Sequence, residues 1–214
     1  MTHGKIENVY EHKPQGTPKQ MVMFLHGLGA DGRDLIDLGQ LFASVLPDAV
    51  FVSPDAPYHC DMASMGYQWF SLQDRTPEIV LRGVQKVAPV LEEFITAQLA
   101  KYNLAADKLA LVGFSQGTMM SLYVGPRYKD KIAGVLGYSG ALVHPPEAAS
   151  HRIPVCLVHG EADTIVPLSA YHGAKAGLEG AGFKVSGHST PGLPHGIDDA
   201  GIKAGMAFLK EILG

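Results

Sequence analysis

Five short, nearly unbroken apolar runs recur along the chain, at residues 21–25, 50–52, 109–112, 132–136 and 155–158. Runs of this length without polar alternation mark strands that are covered on both faces, so they predict the parallel core of one sheet. Between and after them, apolar positions return at three- and four-residue spacing over 35–46, 77–102, 116–124, 169–181 and 200–213, which predicts helices. Strand alternating with helix predicts a doubly wound α/β fold, a mostly parallel sheet with helices on both faces. Residues 183–188 offer a final edge strand. Residues 6–10 offer another, in a pattern too polar to carry the same weight.

Local signals sharpen some boundaries. Thr76-Pro77-Glu78 reads as an N-cap, a first-turn proline and a carboxylate that matches the helix dipole, so the long helix opens there. Pro89 inside it predicts a kink. In the last helix Ile202, Met206, Leu209 and Ile212 or Leu213 form a face for core packing. Segment 54–76 breaks the regular layout: it is long, lacks a period and scatters Met62, Met65, Trp69, Phe70 and Leu72 among polar residues. Long irregular segments of this kind are often functional. Residues 1–214 are expected to form one domain.

Composition narrows the classes. Apolar residues make up 46% and charged residues 18%, an ordinary globular balance, and 214 residues can bury a core without staples. Net charge is -4 and the 17 Lys and Arg form no basic run, so nucleic acid is not an expected partner. No stretch reaches the ~18 apolar residues of a membrane span, and Met1 to Asn8 lacks a signal-peptide core. A cytoplasmic protein without stable membrane association is expected. Cys60 and Cys156 have neither C-x-x-C nor Cys/His spacing, so neither a disulfide nor a metal site is expected, and Cys156 reads as a small buried hydrophobe.

Candidate chemistry begins at Gly113-Phe114-Ser115-Gln116-Gly117, which follows an apolar run and opens a helical stretch, the setting a G-x-S-x-G serine needs to be a nucleophile. A chain with 25 glycines meets the pattern by chance often enough that context must decide. Gly137-Tyr138-Ser139-Gly140 also ends an apolar run, but Pro145-Pro146 soon follow and deny Ser139 a helix. A sharp strand-to-helix turn leaves no room for side chains flanking the serine, which Gly113 and Gly117 supply. It also sets the Gln116 N–H at a helix N-terminus, where a developing oxyanion is stabilised.

A serine needs a base, and the base an orienting acid. Loops at the carboxyl ends of strands share one crevice in open α/β sheets. Asp163 and His195 lie in such loops. Glu161 is the local rival to Asp163, but it sits nearer the strand, where a structural role at the turn suits it better. The order Ser115, Asp163, His195 is that of an α/β-hydrolase. After the first apolar run, His26-Gly27-Leu28-Gly29 allows backbone to approach substrate, with the Leu28 N–H as second oxyanion donor and His26 as a loop organiser.

These segments, 25–32, 113–117, 160–167 and 194–196, together resemble the bacterial carboxylesterase and acyl-protein thioesterase family, also called the phospholipase/carboxylesterase family. The resemblance runs from about Met21 to the C-terminus and implies a minimal α/β-hydrolase with no separate cap domain. It implies a serine esterase that needs no metal or organic cofactor and acts on carboxylic esters or acyl thioesters. Nucleophile, acid and base map to Ser115, Asp163 and His195, and the oxyanion amides to Leu28 and Gln116. Leu193-Pro194 precede His195 where relatives often carry a glycine. The segment 54–76 resembles the border of an acyl groove, with Met65, Trp69, Phe70 and Leu72 as candidate lining and plain core packing as the competing account. The expected substrates are short to medium acyl esters. The rivals are a thioesterase or lysophospholipase with longer acyl preference and, more remotely, a non-catalytic ligand-binding protein on the same scaffold. A homodimer through an apolar rim near the pocket is conceivable, though no residue pattern compels it.

Overall fold

The computed structural model describes residues 4–214; residues 1–3, which open the segment read as lacking a signal-peptide core, lie outside the described residues. In chain order the elements are β1 (Val9–His12), β2 (Gln20–Leu25), the short helices α1 (Arg33–Ile36) and α2 (Leu38–Phe42), β3 (Ala49–Pro54), a hairpin of β4 (Tyr58–His59) and β5 (Tyr67–Gln68), α3 (Pro77–Tyr102), β6 (Leu109–Phe114), α4 (Gln116–Arg127), β7 (Gly134–Tyr138), β8 (Val155–Gly160), α5 (Leu168–Gly180), β9 (Val185–Thr190) and α6 (Asp199–Leu213). The main sheet has the order β1-β3-β2-β6-β7-β8-β9. Its strands run parallel except β1, which pairs antiparallel with β3. This is the doubly wound, mostly parallel α/β-hydrolase sheet.

The unbroken apolar runs have a direct cause. Along β2, Met21, Met23 and Leu25 point into a core with α3, α4 and α5, while Val22 and Phe24 point into a second core with α1, α2 and α6. A strand between two helical layers has no solvent-facing side on which to place polar side chains. Each fully buried Leu, Met or Phe contributes about 1.5–3 kcal/mol relative to exposure, so the two cores hold the layers together. Cys156 belongs to the second core, and burial pushes its thiol up to about 11. Both cysteines are unpaired. Among the described residues no helix is long and apolar enough to cross a membrane.

Boundaries differ from the sequence reading at the first helix, α4, β7 and β9. The helix expected over 35–46 forms as α1 and α2, with Asp37 between them still at helical angles and its carbonyl accepting the Gln40 N–H, so the turn tightens without reversing. α3 keeps its expected bounds, 77–102, with Pro89 inside one helix; Gln85, whose carbonyl loses its helical donor there, is exposed and open to water. α4 passes through Gly125-Pro126 to Arg127, because a proline in the last turn deprives only one carbonyl. β7 and β9 begin two residues later than the apolar signal, since Ile132 and Phe183 are buried ahead of the ladder rather than in it.

The chain steps outward from β2 to β3, then crosses back to place β6 on the other side of β2. The strand order therefore reverses between β2 and β6, and the carboxyl ends of these two neighbours, Leu25 opposite Gly113, flank a crevice.

Candidate active site

Ser115 is the single residue between β6 and α4, and its backbone sits at φ 53, ψ −114, a conformation side chains rarely adopt. Steric demand explains the flanking glycines: a Cβ at Gly113 would strike the Gly117–Thr118 peptide, and one at Gly117 would strike the Leu25 carbonyl. The Tyr138 carbonyl accepts both the Ser115 N–H (2.9 Å) and the Thr118 hydroxyl (2.8 Å), which pins the turn against β7. Among the described residues, neither the Gln116 N–H, at the start of α4, nor the Leu28 N–H has an acceptor. Leu28 and Ser115 border the same cavity.

Asp163 follows β8 with its side chain fully buried. Its Oδ1 accepts the N–H groups of Ile165 (2.9 Å) and Val166 (2.8 Å), and its Oδ2 accepts the His195 Nδ1–H at 2.7 Å. Burial pushes the carboxyl pKa upward, but the hydrogen bonds from His195, Val166 and Ile165 outweigh it and hold Asp163 below the usual carboxylate range. His159, from the end of β8, donates to the Val166 carbonyl at 2.8 Å and closes the Asp163 loop from behind. The His195 ring packs on Phe114, with centroids 4.9 Å apart. The Leu193 carbonyl accepts the Ala162 N–H at 3.0 Å, so the Leu193-Pro194 sequence joins the His195 loop to the Asp163 loop. His195 borders the cavity with Ser115, and no hydrogen bond joins the two residues in this structure. Such bonds are often long before substrate binds and tighten in the complex. Glu161 instead accepts the Ser189 hydroxyl at 2.7 Å.

His26, directly before the Gly27-Leu28-Gly29 turn, is buried. Its Nε2 accepts the Ala56 N–H (2.9 Å), so Nδ1 carries the proton and donates to the Gly27 carbonyl (2.7 Å). Burial lowers its pKa and favours that neutral form. Gln116 contributes more than a main-chain donor: its side-chain Oε1 accepts the Trp69 N–H and its Nε2 donates to the Phe70 carbonyl, while the Trp69 indole donates to the His26 carbonyl at 3.0 Å.

The cavity beside Ser115 measures about 560 Å³ and is walled by Leu72, Val80, Met119, Leu142, Val143 and Ile165, with Asp34 and Arg75 also on its lining. Of the four residues expected there, Leu72 alone borders it. Trp69 and Phe70 are core residues behind it, held by the Gln116 side chain and facing a separate groove of about 420 Å³. Met65 is 80% exposed and lies off the lining. Apolarity in the segment 54–76 reports burial as well as cavity wall, and it does not distinguish them. The walls that went unread come from four other places: Met119, four residues after Ser115 on α4; Leu142 and Val143 after β7; Ile165 beside the acid; and Val80 on α3. Phe114, Thr118 and His159 were given no role, although Phe114 lies inside the G-x-S-x-G motif and the other two directly adjoin the segments 113–117 and 160–167.

The sequence model of the phospholipase/carboxylesterase family matches residues 7–213. Esterase YpfH of Escherichia coli (strain K12) is 27% identical over 96% of this chain and 88% of its own. Acyl-protein thioesterase 1 of Debaryomyces hansenii is 29% identical over 91% of this chain and 92% of its own. The crystal structure of esterase PE8 superposes with a TM-score of 0.91 at 36% identity, covering 98% of this chain and all of that one. The chain belongs to the phospholipase/carboxylesterase family.

Proposed function

We propose that this family member is a serine carboxylesterase that hydrolyses short to medium acyl esters through an acyl-enzyme. In the first half-reaction the Ser115 oxygen attacks the ester carbonyl carbon as its proton passes to His195 Nε2. The carbonyl oxygen takes the negative charge against the N–H groups of Leu28 and Gln116. Collapse breaks the bond to the alcohol oxygen, which leaves with the proton from the imidazolium. Water then repeats the sequence on the acyl-serine, releasing acid and free serine. Asp163 keeps the Nδ1 proton in place and stabilises the imidazolium, so Nε2 is the nitrogen left to act as base.

The observation that carries the reading is the 2.7 Å bond from His195 Nδ1 to a fully buried Asp163 beside a strained serine. A solvated loop pair would not be built at the cost of burying a carboxylate and distorting a backbone. The cavity lies within the range of small-molecule sites, about 300–1,000 Å³, and its walls suit an acyl chain. A thioesterase with longer acyl preference is the second reading, favoured by the same apolar walls and by the relative named for acyl-protein thioesterase activity.

A fluorophosphonate probe tests the enzyme reading. Covalent labelling that disappears in Ser115→Ala supports it, and absence of labelling in the native protein overturns it. Comparing p-nitrophenyl esters of increasing chain length with matched acyl thioesters then separates the two readings. A thioester preference of orders of magnitude reverses their order.

A further inference from the structure

Ser139, the serine of the second glycine-flanked segment, has no room for a helix behind it and yet occupies an unusual position. It follows the last residue of β7, is almost fully buried, and adopts φ 47, a left-handed backbone that a non-glycine residue enters only under constraint. Its hydroxyl donates to the Gly196 carbonyl at 3.3 Å, the residue directly after His195. The preceding residue reaches the same stretch of chain: the Tyr138 hydroxyl donates to the Gly201 carbonyl at 3.0 Å. In an extended strand, consecutive side chains point to opposite faces. The left-handed turn at Ser139 ends that alternation, and both hydroxyls hold the segment 196–201.

The main chain of the same two residues faces the nucleophile. The Tyr138 carbonyl accepts the Ser115 N–H and the Thr118 hydroxyl, and the Ser139 N–H donates to the Val158 carbonyl on the strand that leads to Asp163. One dipeptide therefore contacts the elbow of Ser115, the strand before the acid and the loop of the base. Loops are the parts of a fold that drift, and reacting groups misplaced by about 1 Å lose on the order of 100-fold in rate.

We propose that Ser139 is a positioning residue: through its bond to the Gly196 carbonyl it sets the distance of the His195 imidazole from Ser115. This rests on the serine-hydrolase reading above. It acts on the loop rather than on substrate, so its removal affects kcat and leaves KM in place.

The test uses Ser139→Ala and Ser139→Gly in the full chain, with p-nitrophenyl ester kinetics, the rate of fluorophosphonate labelling and the thermal midpoint. Glycine adopts φ 47 without strain, so Ser139→Gly removes the hydroxyl while leaving the backbone at least as comfortable. In both variants kcat and labelling rate are expected to fall together by about 10- to 100-fold, with KM within about twofold and Ser139→Gly melting no lower than Ser139→Ala. Wild-type kcat and labelling in Ser139→Gly overturn the proposal while leaving the enzyme reading intact. A rise in KM with kcat unchanged overturns it as well. Failure of the native protein to label overturns both readings together.

Discussion

The Gln116 side chain, next in sequence to Ser115, grips the main chain at Trp69: Oε1 accepts the Trp69 N–H at 2.9 Å and Nε2 donates to the next carbonyl, Phe70, at 2.7 Å. One residue thus opens α4 with an N–H that has no acceptor among the described residues and ties its side-chain amide to the segment 69–70. Truncation in Gln116→Ala leaves a buried donor and a buried acceptor unpaired while keeping the backbone N–H. A loss of about 1–3 kcal/mol per group left unpaired is expected. Urea unfolding checks it, and an unchanged midpoint contradicts the clamp.

Removing the hydroxyl in Ser115→Ala is expected to reduce kcat on the order of 10⁶-fold, because residues that act as a unit fail as a unit. Asp163→Asn retains the shape but loses the acceptor that fixes the imidazole tautomer, and a loss on the order of 10⁴-fold is expected. Steady-state kinetics on one activated ester ranks the two. Full activity in either variant removes that residue from the mechanism.

Stability should depend on pH through His26. Burial holds its folded pKa below the ordinary value of 6.5, so above that pH the imidazole is neutral in both states and contributes no pH dependence. As pH falls below it, the unfolded chain takes up a proton that the folded chain resists. Stability then declines by about 1.4 kcal/mol per pH unit down to the folded pKa. Asp163, also depressed, keeps its contribution above the unfolded carboxylate pKa of about 3.9 and loses it only below. Urea midpoints at pH 7.5, 6 and 5 should therefore fall in the native protein and flatten in His26→Gln. A native midpoint that rises on acidification would show that the folded His26 accepts the proton readily.

Chain-length preference should follow the cavity wall. Val80→Trp fills part of the cavity from its α3 wall. It is expected to lower kcat/KM for octanoyl relative to acetyl esters by about 10- to 100-fold, the discrimination that a few methylenes give in an apolar pocket. Equal losses on both esters would place the acyl chain elsewhere.

The sheet was legible because β2, β6 and β8 are covered on both faces, which forces residues such as 21–25 and 109–112 to be apolar throughout. β1 was harder to read: every residue from Val9 to His12 is only half-buried, and an antiparallel edge strand needs no apolar run. The β4–β5 hairpin, two residues per strand, is too short for periodicity, and Tyr67 is tied by main-chain bonds to Gly29 and Ala30, which leave no trace in side-chain pattern. Ser115, Asp163 and His195 could be read from turn chemistry and order along the chain. The cavity wall could not, since Met119, Val143 and Ile165 meet only after α4 and the loops behind β7 and β8 are folded against one another.

The left-handed backbone at Ser115 sets evolution of this chain against itself. Glycine would occupy φ 53 freely, and Ser115→Gly should fold more tightly than the native protein by a margin on the order of 1 kcal/mol. A screen that rewarded heat resistance alone would therefore favour loss of the Ser115 hydroxyl, and variants recovered from such a screen should be assayed for turnover before they are called improved.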